Sequence, residues 1–380
     1  MVLRVWAWFS SARGYPEVVR RLLVILLTVA ALPVGAANAA SIGFAVDDGF
    51  KAVPTSNADP ALTIGGAMTR LNATWVRVDV RWNAIATRQP SNARLAKDAA
   101  YDWSSVDAAV AAARAVSATP PQILLSIGGT PDWARSDGGA GGTPGDPAWA
   151  PRRAAFQNFV AAVVARYAKA DSGPYGNVTA AFEIWPNPNS AAGLRPQRAA
   201  GRLIAPGLFK ALVKAATVEI HKVTQVPIAT GGLARTDPAN AADTGSIAFL
   251  RAIARTRIQA DAIGVRLQPP GGVEGPADPG NLALSDPNGI VANVDALFPN
   301  QGKGIWETGY ALSGATDPAV EDAAVSAFLG AALNPRFGLS IWNNLVDTAG
   351  APGYGLYATA SPLAAKQAWT TWTTILPPPA

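Results

Sequence analysis

The sequence predicts an α/β chain of the (β/α)8 barrel class, and three observations carry that prediction. After residue 40, eight short apolar segments alternate strictly with about eight amphipathic ones. Strict alternation calls for parallel strands joined by crossover helices, and eight such units over roughly 340 residues leave room for generous loops. The main rival is a doubly wound open sheet, which would want a Gly-rich phosphate turn after the first strand. Ala45-Val46-Asp47-Asp48-Gly49 is not one. Finally, polar side chains recur just where each apolar segment stops, which is where barrels of this class place their sites.

The elements follow in order. Ser41–Val46 is the first strand and Ala61–Leu71 its helix. Thr74–Val80, dense in β-branched residues, is the second strand. Tyr101-Asp102-Trp103 leads into helix Val106–Val116, with Ser104 or Ser105 as N-cap. Gln122–Ser126 is the third strand, closed by Gly128-Gly129. A long Gly- and Pro-rich loop, Ser136–Pro147, precedes helix Ala154–Ala168. The fourth strand is Phe182-Glu183-Ile184-Trp185-Pro186-Asn187-Pro188-Asn189, stopped by two prolines that have no N–H to donate. Helix Gly207–Val223, strand Pro227–Thr230, helix Ile247–Ala254 and strand Ala260–Leu267 come next. Helix Ile290–Leu297, strand Gly304–Glu307, helix Val320–Leu333, strand Gly338–Trp342 and helix Leu363–Thr374 complete the set. The reading divides the chain into an export segment (1–39), one barrel domain (40–376) and a disordered Pro-rich tail (377–380).

Composition narrows the function classes. Of 380 residues 49% are hydrophobic and 15% charged, so a large core is expected and global disorder is not. The formal charge is +5. Arg4, Arg13, Arg20 and Arg21 against Glu17 supply +3 of it before residue 41, leaving +2 for the rest. No basic run interleaves with aromatics, so nucleic acid is not an expected partner. Arg20-Arg21 precede the apolar run Leu22–Leu32, and Ala37-Asn38-Ala39 offers a cleavage site, which together read as a secretory signal; an uncleaved membrane anchor is the alternative. The chain has no cysteine, which removes thiolate metal sites and cysteine nucleophiles. The carboxylates do not cluster at metal-ligand spacing, and no cofactor is expected. His221, the only histidine, falls on a helix far from any strand end and reads as a surface residue.

At the strand ends, tryptophans stand beside carboxylates and amides. The set includes Asp47, Asp48, Arg77, Asp79, Trp82, Thr130, Asp132, Trp133, Trp185, Asn187, Asn189, Arg235, Arg266, Gln268, Glu307, Tyr310, Trp342, Asn343 and Asn344. Aromatic faces stack on sugar rings, while planar amides and carboxylates pair with hydroxyls. A neutral carbohydrate therefore fits this composition better than a phosphorylated ligand. Within the fourth strand Glu183, Trp185 and Asn187 share one parity and are expected on one face.

Several stretches together resemble a clan A glycoside hydrolase, in particular the family 39-like β-glycosidases. Trp75-Val76-Arg77-Val78-Asp79-Val80-Arg81-Trp82-Asn83-Ala84-Ile85 is similar to that family's second strand. Tyr101-Asp102-Trp103 with Val106-Asp107 resembles its helix entry, and Gly129-Thr130-Pro131-Asp132-Trp133-Ala134 the end of its third strand. Phe182–Asn189 stands where the family has W-E-I-W-N-E-P-N. Glu307-Thr308-Gly309-Tyr310 resembles the seventh-strand motif, and Ile341–Asp347 with Gly355-Leu356 the eighth. The resemblance runs from about Ala61 to Trp372.

It implies a retaining glycosidase barrel with Glu307 as nucleophile and Arg77 supporting it. The strand-end reading makes Asp79, Trp133, Trp185, Asn187, Gln268 and Trp342 the candidate sugar-binding residues. The chain also departs from the family. The acid/base glutamate of the fourth strand is replaced by Asn187, which has no titratable proton to give. The preceding family asparagine has become Pro186. The sixth-strand H-P-Y has become Arg266-Leu267-Gln268. Glu183 lies four residues before Asn187, roughly 13 Å back on an extended strand, and reads as a buried partner of Arg77 rather than a substitute acid. Asp79, Asp132, Asp47, Asp48 and Glu274 are the other candidate acids. Three readings stay open: an exported glycosidase with an unconventional acid, an inactive barrel that binds glycan and, with little support from the residues, a barrel enzyme acting on a non-carbohydrate substrate.

Overall fold

The computed structural model describes residues 41–139, 143–268, 280–299, 301–311, 317–348 and 355–379. Residues 1–39, which the sequence reading takes as an export segment, and Glu274 lie outside the described residues. Eight parallel strands alternate with eight helices: β1 (Ile42–Ala45), α1 (Ile64–Arg70), β2 (Ala73–Arg81), α2 (Ser104–Arg114), β3 (Gln122–Gly128), α3 (Arg153–Tyr167), β4 (Thr179–Ile184), α4 (Ala205–Ile220), β5 (Ile228–Thr230), α5 (Ser246–Ala254), β6 (Ala262–Arg266), α6 (Pro287–Leu297), β7 (Gly304–Tyr310), α7 (Pro318–Ala332), β8 (Phe337–Trp342) and α8 (Gln367–Ile375). β8 pairs with β1 and β7 with β6, so the sheet closes into the predicted (β/α)8 barrel. A two-residue strand, Leu233–Ala234, adds to β6.

Strand alternation separates two apolar layers. Leu124, Ala181, Ala229, Ala262, Trp306 and Leu339 form a small inner cluster that fills the barrel. Their neighbours of opposite parity, such as Val76, Val78, Ile123, Leu125, Phe182 and Ile184, belong to the much larger outer cluster between strands and helices. There Phe159 of α3 stacks on Trp82 at 5.1 Å and on Trp103 at 5.9 Å.

Local chemistry moves several expected boundaries. The first helix is two pieces: a turn at Pro60–Leu62 capped by Asp59, then α1 capped by the Thr63 hydroxyl, which accepts Gly66 N–H at 3.0 Å. The helix α2 is not capped by Ser104 or Ser105. Ser104 is its first residue, and Asp102 Oδ1 accepts the Ser104 N–H at 2.9 Å from one position further out. Leu363–Ala365 is not helical but pairs antiparallel with Tyr357–Ala360, tertiary pairing overriding local propensity. Pro377–Pro379 are exposed and without regular structure, although Asn72 Nδ2 donates to the Pro377 carbonyl at 2.7 Å.

The fourth strand differs most. β4 ends at Ile184, because Trp185 and Asn187 take positive φ of 64° and 55°. The expected shared face of Glu183, Trp185 and Asn187 is therefore broken. Glu183 stays on the inner face, whereas the Trp185 ring swings into the outer layer, edge-on to Phe156 at 5.3 Å. Gly231 makes this turn feasible: a Cβ there would lie 1.7 Å from the Trp185 carbonyl oxygen.

The outer aromatic layer generates a stability prediction. Phe159→Ala should lower the unfolding free energy by about 3–5 kcal/mol. Urea denaturation measures this, and an unchanged midpoint would show that the stack contributes nothing.

Candidate functional site

Three inner-face positions stand in register on adjacent strands at the C-terminal end of the barrel: Asp79 opposite Ser126, and Ser126 opposite Glu183. Arg77, one inward position below Asp79, ties them together. Its Nε donates to Glu183 Oε2 at 3.1 Å, and its Nη2 donates to Ser126 Oγ at 2.9 Å and lies 2.9 Å from Asp79 Oδ1. Glu183 Oε1 in turn accepts Gly232 N–H at 2.9 Å and the Thr308 hydroxyl at 2.6 Å. Arg77 and Glu183 are buried, as expected for the pair.

Above this network opens a cleft of about 340 Å³, within the usual range of small-ligand pockets. Its lining includes Arg77, Asp79, Arg81, Asn83, Asn187 and Arg266. Among the described residues lining it, Asp79 is the one carboxylate, with 39% of its side chain exposed. Burial pushes the Asp79 carboxyl up, but Arg77, Arg266 and Arg81 outweigh it and hold the group below its ordinary range. Asn187 reaches the cleft with a buried Oδ1 that accepts no hydrogen bond.

Glu307 is placed differently. On β7, Trp306 belongs to the inner cluster and Ile305 to the outer, so Glu307 shares the outward parity of Ile305. Its side chain is fully buried and is not part of the cleft lining. Oε1 accepts Gly309 N–H at 3.0 Å and Oε2 accepts Leu267 N–H at 3.2 Å. Burial pushes its carboxyl up to about 8, against the pull of those two amides and of Arg266. At neutral pH it is therefore mostly protonated.

The expected aromatic platforms do not form. Trp185 borders the cleft, but Trp82, Trp185 and Trp342 are at most 2% exposed and belong to the outer layer. The Trp185 indole N–H donates to the Gly193 carbonyl at 2.9 Å. Trp342 follows inward-facing Ile341 and so points outward, edge-on to Phe328 at 5.3 Å. Trp133 is half-buried against Trp82, with its N–H donating to the Ala86 carbonyl at 2.7 Å. Gln268 is half-buried just past β6 and outside the cleft lining.

The other candidate acids serve the backbone. Asp47 caps a short helix, accepting Phe50 N–H at 2.7 Å and Asn344 Nδ2 at 2.5 Å. Asp132 accepts Gly145 N–H at 2.9 Å, and Asp48 pairs on the surface with Lys51 at 2.5 Å. Asn189 is buried and locks the β4 turn through Ala234 and Thr244. His221 is exposed at the end of α4. Sequence reasoning passed over Arg81, Asn83 and Ser126. The first shares the parity of Arg77 and Asp79, and the last is a lone small polar residue in an apolar strand, so both carried a readable signal.

No family model and no curated protein matches the chain. Solved structures do. The chain is similar to a glucosidase from Croceicoccus marinus, with a TM-score of 0.53 and 14% identity over 89% of this chain and 67% of that one. An endoglucanase from Thermotoga maritima gives a TM-score of 0.54 and 12% identity over 87% and 96%. A glycoside hydrolase family 30 xylanase from Clostridium acetobutylicum gives 0.53 and 13% over 88% and 70%. These likenesses establish the barrel fold, and the neighbours that share it are glycoside hydrolases.

Two predictions test the network. Glu183→Ala leaves Arg77 without its buried partner and should destabilise the protein by about 3–5 kcal/mol; denaturation with the midpoint unmoved would remove the pair from the account. Glu307 keeps its proton in the folded state up to about 8, whereas the unfolded chain releases it near 4.5. Its contribution is full below 4.5 and is lost as pH rises towards 8, by an amount on the order of a few kcal/mol. Melting curves across that window should fall with pH in the wild type and flatten in Glu307→Gln; equal slopes would contradict the burial of a protonated carboxyl.

Proposed function

We propose that this chain is an exported protein of glycoside hydrolase ancestry that binds carbohydrate at the C-terminal end of its barrel without the two-carboxylate retaining reaction. The fold shared with glucosidase, endoglucanase and xylanase structures supports the ligand class, and the cleft's amides and charged groups suit sugar hydroxyls. The observation that carries the loss of hydrolysis is that Asp79 is the one carboxylate among the described residues lining the cleft.

Retaining chemistry needs a second carboxyl about 5–5.5 Å from an ionised nucleophile, both on the sugar. Asn187 at the family's acid position cannot donate a proton, which typically costs about 10²–10⁴-fold in rate. Glu307 at the family's nucleophile position is sealed from the cleft and holds a proton at neutral pH. Export rests on the basic, apolar and small-residue sequence of the N-terminus.

A second reading is favoured by one observation: Asp79 and Glu307 are shifted in opposite directions. Such a split is what an acid/base pair uses, with Asp79 as base and Glu307 as acid. It requires movement that brings Glu307 to the cleft.

Turnover assays separate the two. Oligosaccharides should bind in calorimetry with no product released, and aryl glycosides with good leaving groups should survive at every pH. Asn187→Glu alone should stay inactive, because Glu307 remains sealed. Turnover lost by about 10²-fold or more in both Asp79→Asn and Glu307→Gln would establish the second reading instead. Turnover that rises through pH 8 and vanishes only in Glu307→Gln would restore the nucleophile role.

A further inference from the structure

Among the described residues, Arg266 is a cleft cation with no hydrogen-bonded or ion-paired partner. It ends β6 on the inner parity of Ala262 and Gly264, and it lines the cleft. Two glycines make room for it. A Cβ at Gly232 would lie 2.8 Å from Arg266 Cβ, and one at Gly309 would lie 3.1 Å from Arg266 Nε. The residue is half-buried, yet its guanidinium makes no hydrogen bond and no ion pair among the described residues.

The carboxylates around it are committed elsewhere. Glu183 is held by Arg77, Gly232 N–H and Thr308. Asp79 lies 2.9 Å from Arg77 and 3.7 Å from Arg81. Glu307 accepts two backbone N–H groups. Burial and the like charge of Arg77 lower the Arg266 pKa, and the charges of Asp79, Glu183 and Glu307 only partly offset them. Among the described residues lining the cleft, three arginines (77, 81 and 266) stand against one carboxylate, Asp79. A partly desolvated cation without a partner is unfavourable unless something completes it. The guanidinium fork matches a carboxylate or a sulfate with two parallel hydrogen bonds.

We propose that the cleft recognises an acidic sugar, with Arg266 receiving the uronate carboxylate or sulfate ester. This inference rests on the carbohydrate-binding reading and narrows it to anionic glycans. The unpaired Asn187 Oδ1 accepts from a sugar hydroxyl in the same cleft. Arg81, whose side chain is 75% exposed, extends the positive field to the rim and speeds capture of an anion.

Calorimetry on the full chain tests it with three probes of matched length: an oligogalacturonate, a sulfated galacto-oligosaccharide and the neutral galacto-oligosaccharide. At least one acidic probe should bind about tenfold or more tightly than the neutral one, and which one does identifies the anion. Arg266→Gln should bring the affinity for the acidic probe down to that for the neutral one, and Arg266→Lys should keep part of the preference. Arg81→Gln, at a side chain 75% exposed, should weaken acidic binding and reduce its salt dependence. Equal affinity for all three probes, or a preference that survives Arg266→Gln in a protein with an unchanged melting temperature, would overturn the acidic-sugar assignment and leave carbohydrate binding standing. Binding of none of the three would overturn both.

Discussion

The buried pairing of Arg77 with Glu183 is the constraint on which the rest of the site depends. Inside a barrel, a guanidinium and a carboxylate lose their water on every side, and each is tolerable only because the other is there. Arg77 then spends its remaining donors on Ser126 and Asp79. Glu183 spends its second oxygen on Gly232 and Thr308. One pair thereby fixes side chains or backbone from β2, β3, β4 and β7 and from the turn after β5. The exposed position of Asp79 follows from it.

A second constraint is the division of tryptophan between layers. The outer layer takes the large rings because the helices can separate to admit them. The inner face at the strand ends is narrow and charged. Trp82 begins a short helix, Trp185 follows a backbone turn with positive φ, and Trp342 has outward parity. None of the three presents an exposed ring to the cleft, whose polar lining is arginine, aspartate, serine and amide groups.

The charged groups around the cleft act on one another. Asn187 offers the cleft an amide and no titratable proton. Arg266 brings a second cation within electrostatic reach of Arg77 and Glu307. Glu307 responds to burial by keeping its proton, so the carboxyl contributes little negative charge to balance the arginines. The cleft is lined by three arginines, Arg77, Arg81 and Arg266, and one carboxylate, Asp79, among the described residues. That balance disfavours a developing positive charge on a ligand and favours an anion.

Much of this was legible from residue order alone. Alternation of apolar segments gave the barrel, because strand and helix periods differ and eight repeats leave few other solutions. The Arg77–Glu183 pair was legible because two charged residues in buried strands must meet a partner. The parity rule failed at Trp185, since the period of two holds only while the backbone stays extended, and the positive φ there is stabilised by a close approach to Gly231 that no local pattern reveals. It was available but unused at Glu307, where inner Trp306 and outer Ile305 decide the direction only once the layers are known. What the sequence by itself determined was the fold and the identity of the charged groups, because both follow from local periodicity and composition. What only the tertiary structure decided was which of those groups meets solvent, because exposure depends on neighbours far away in the chain.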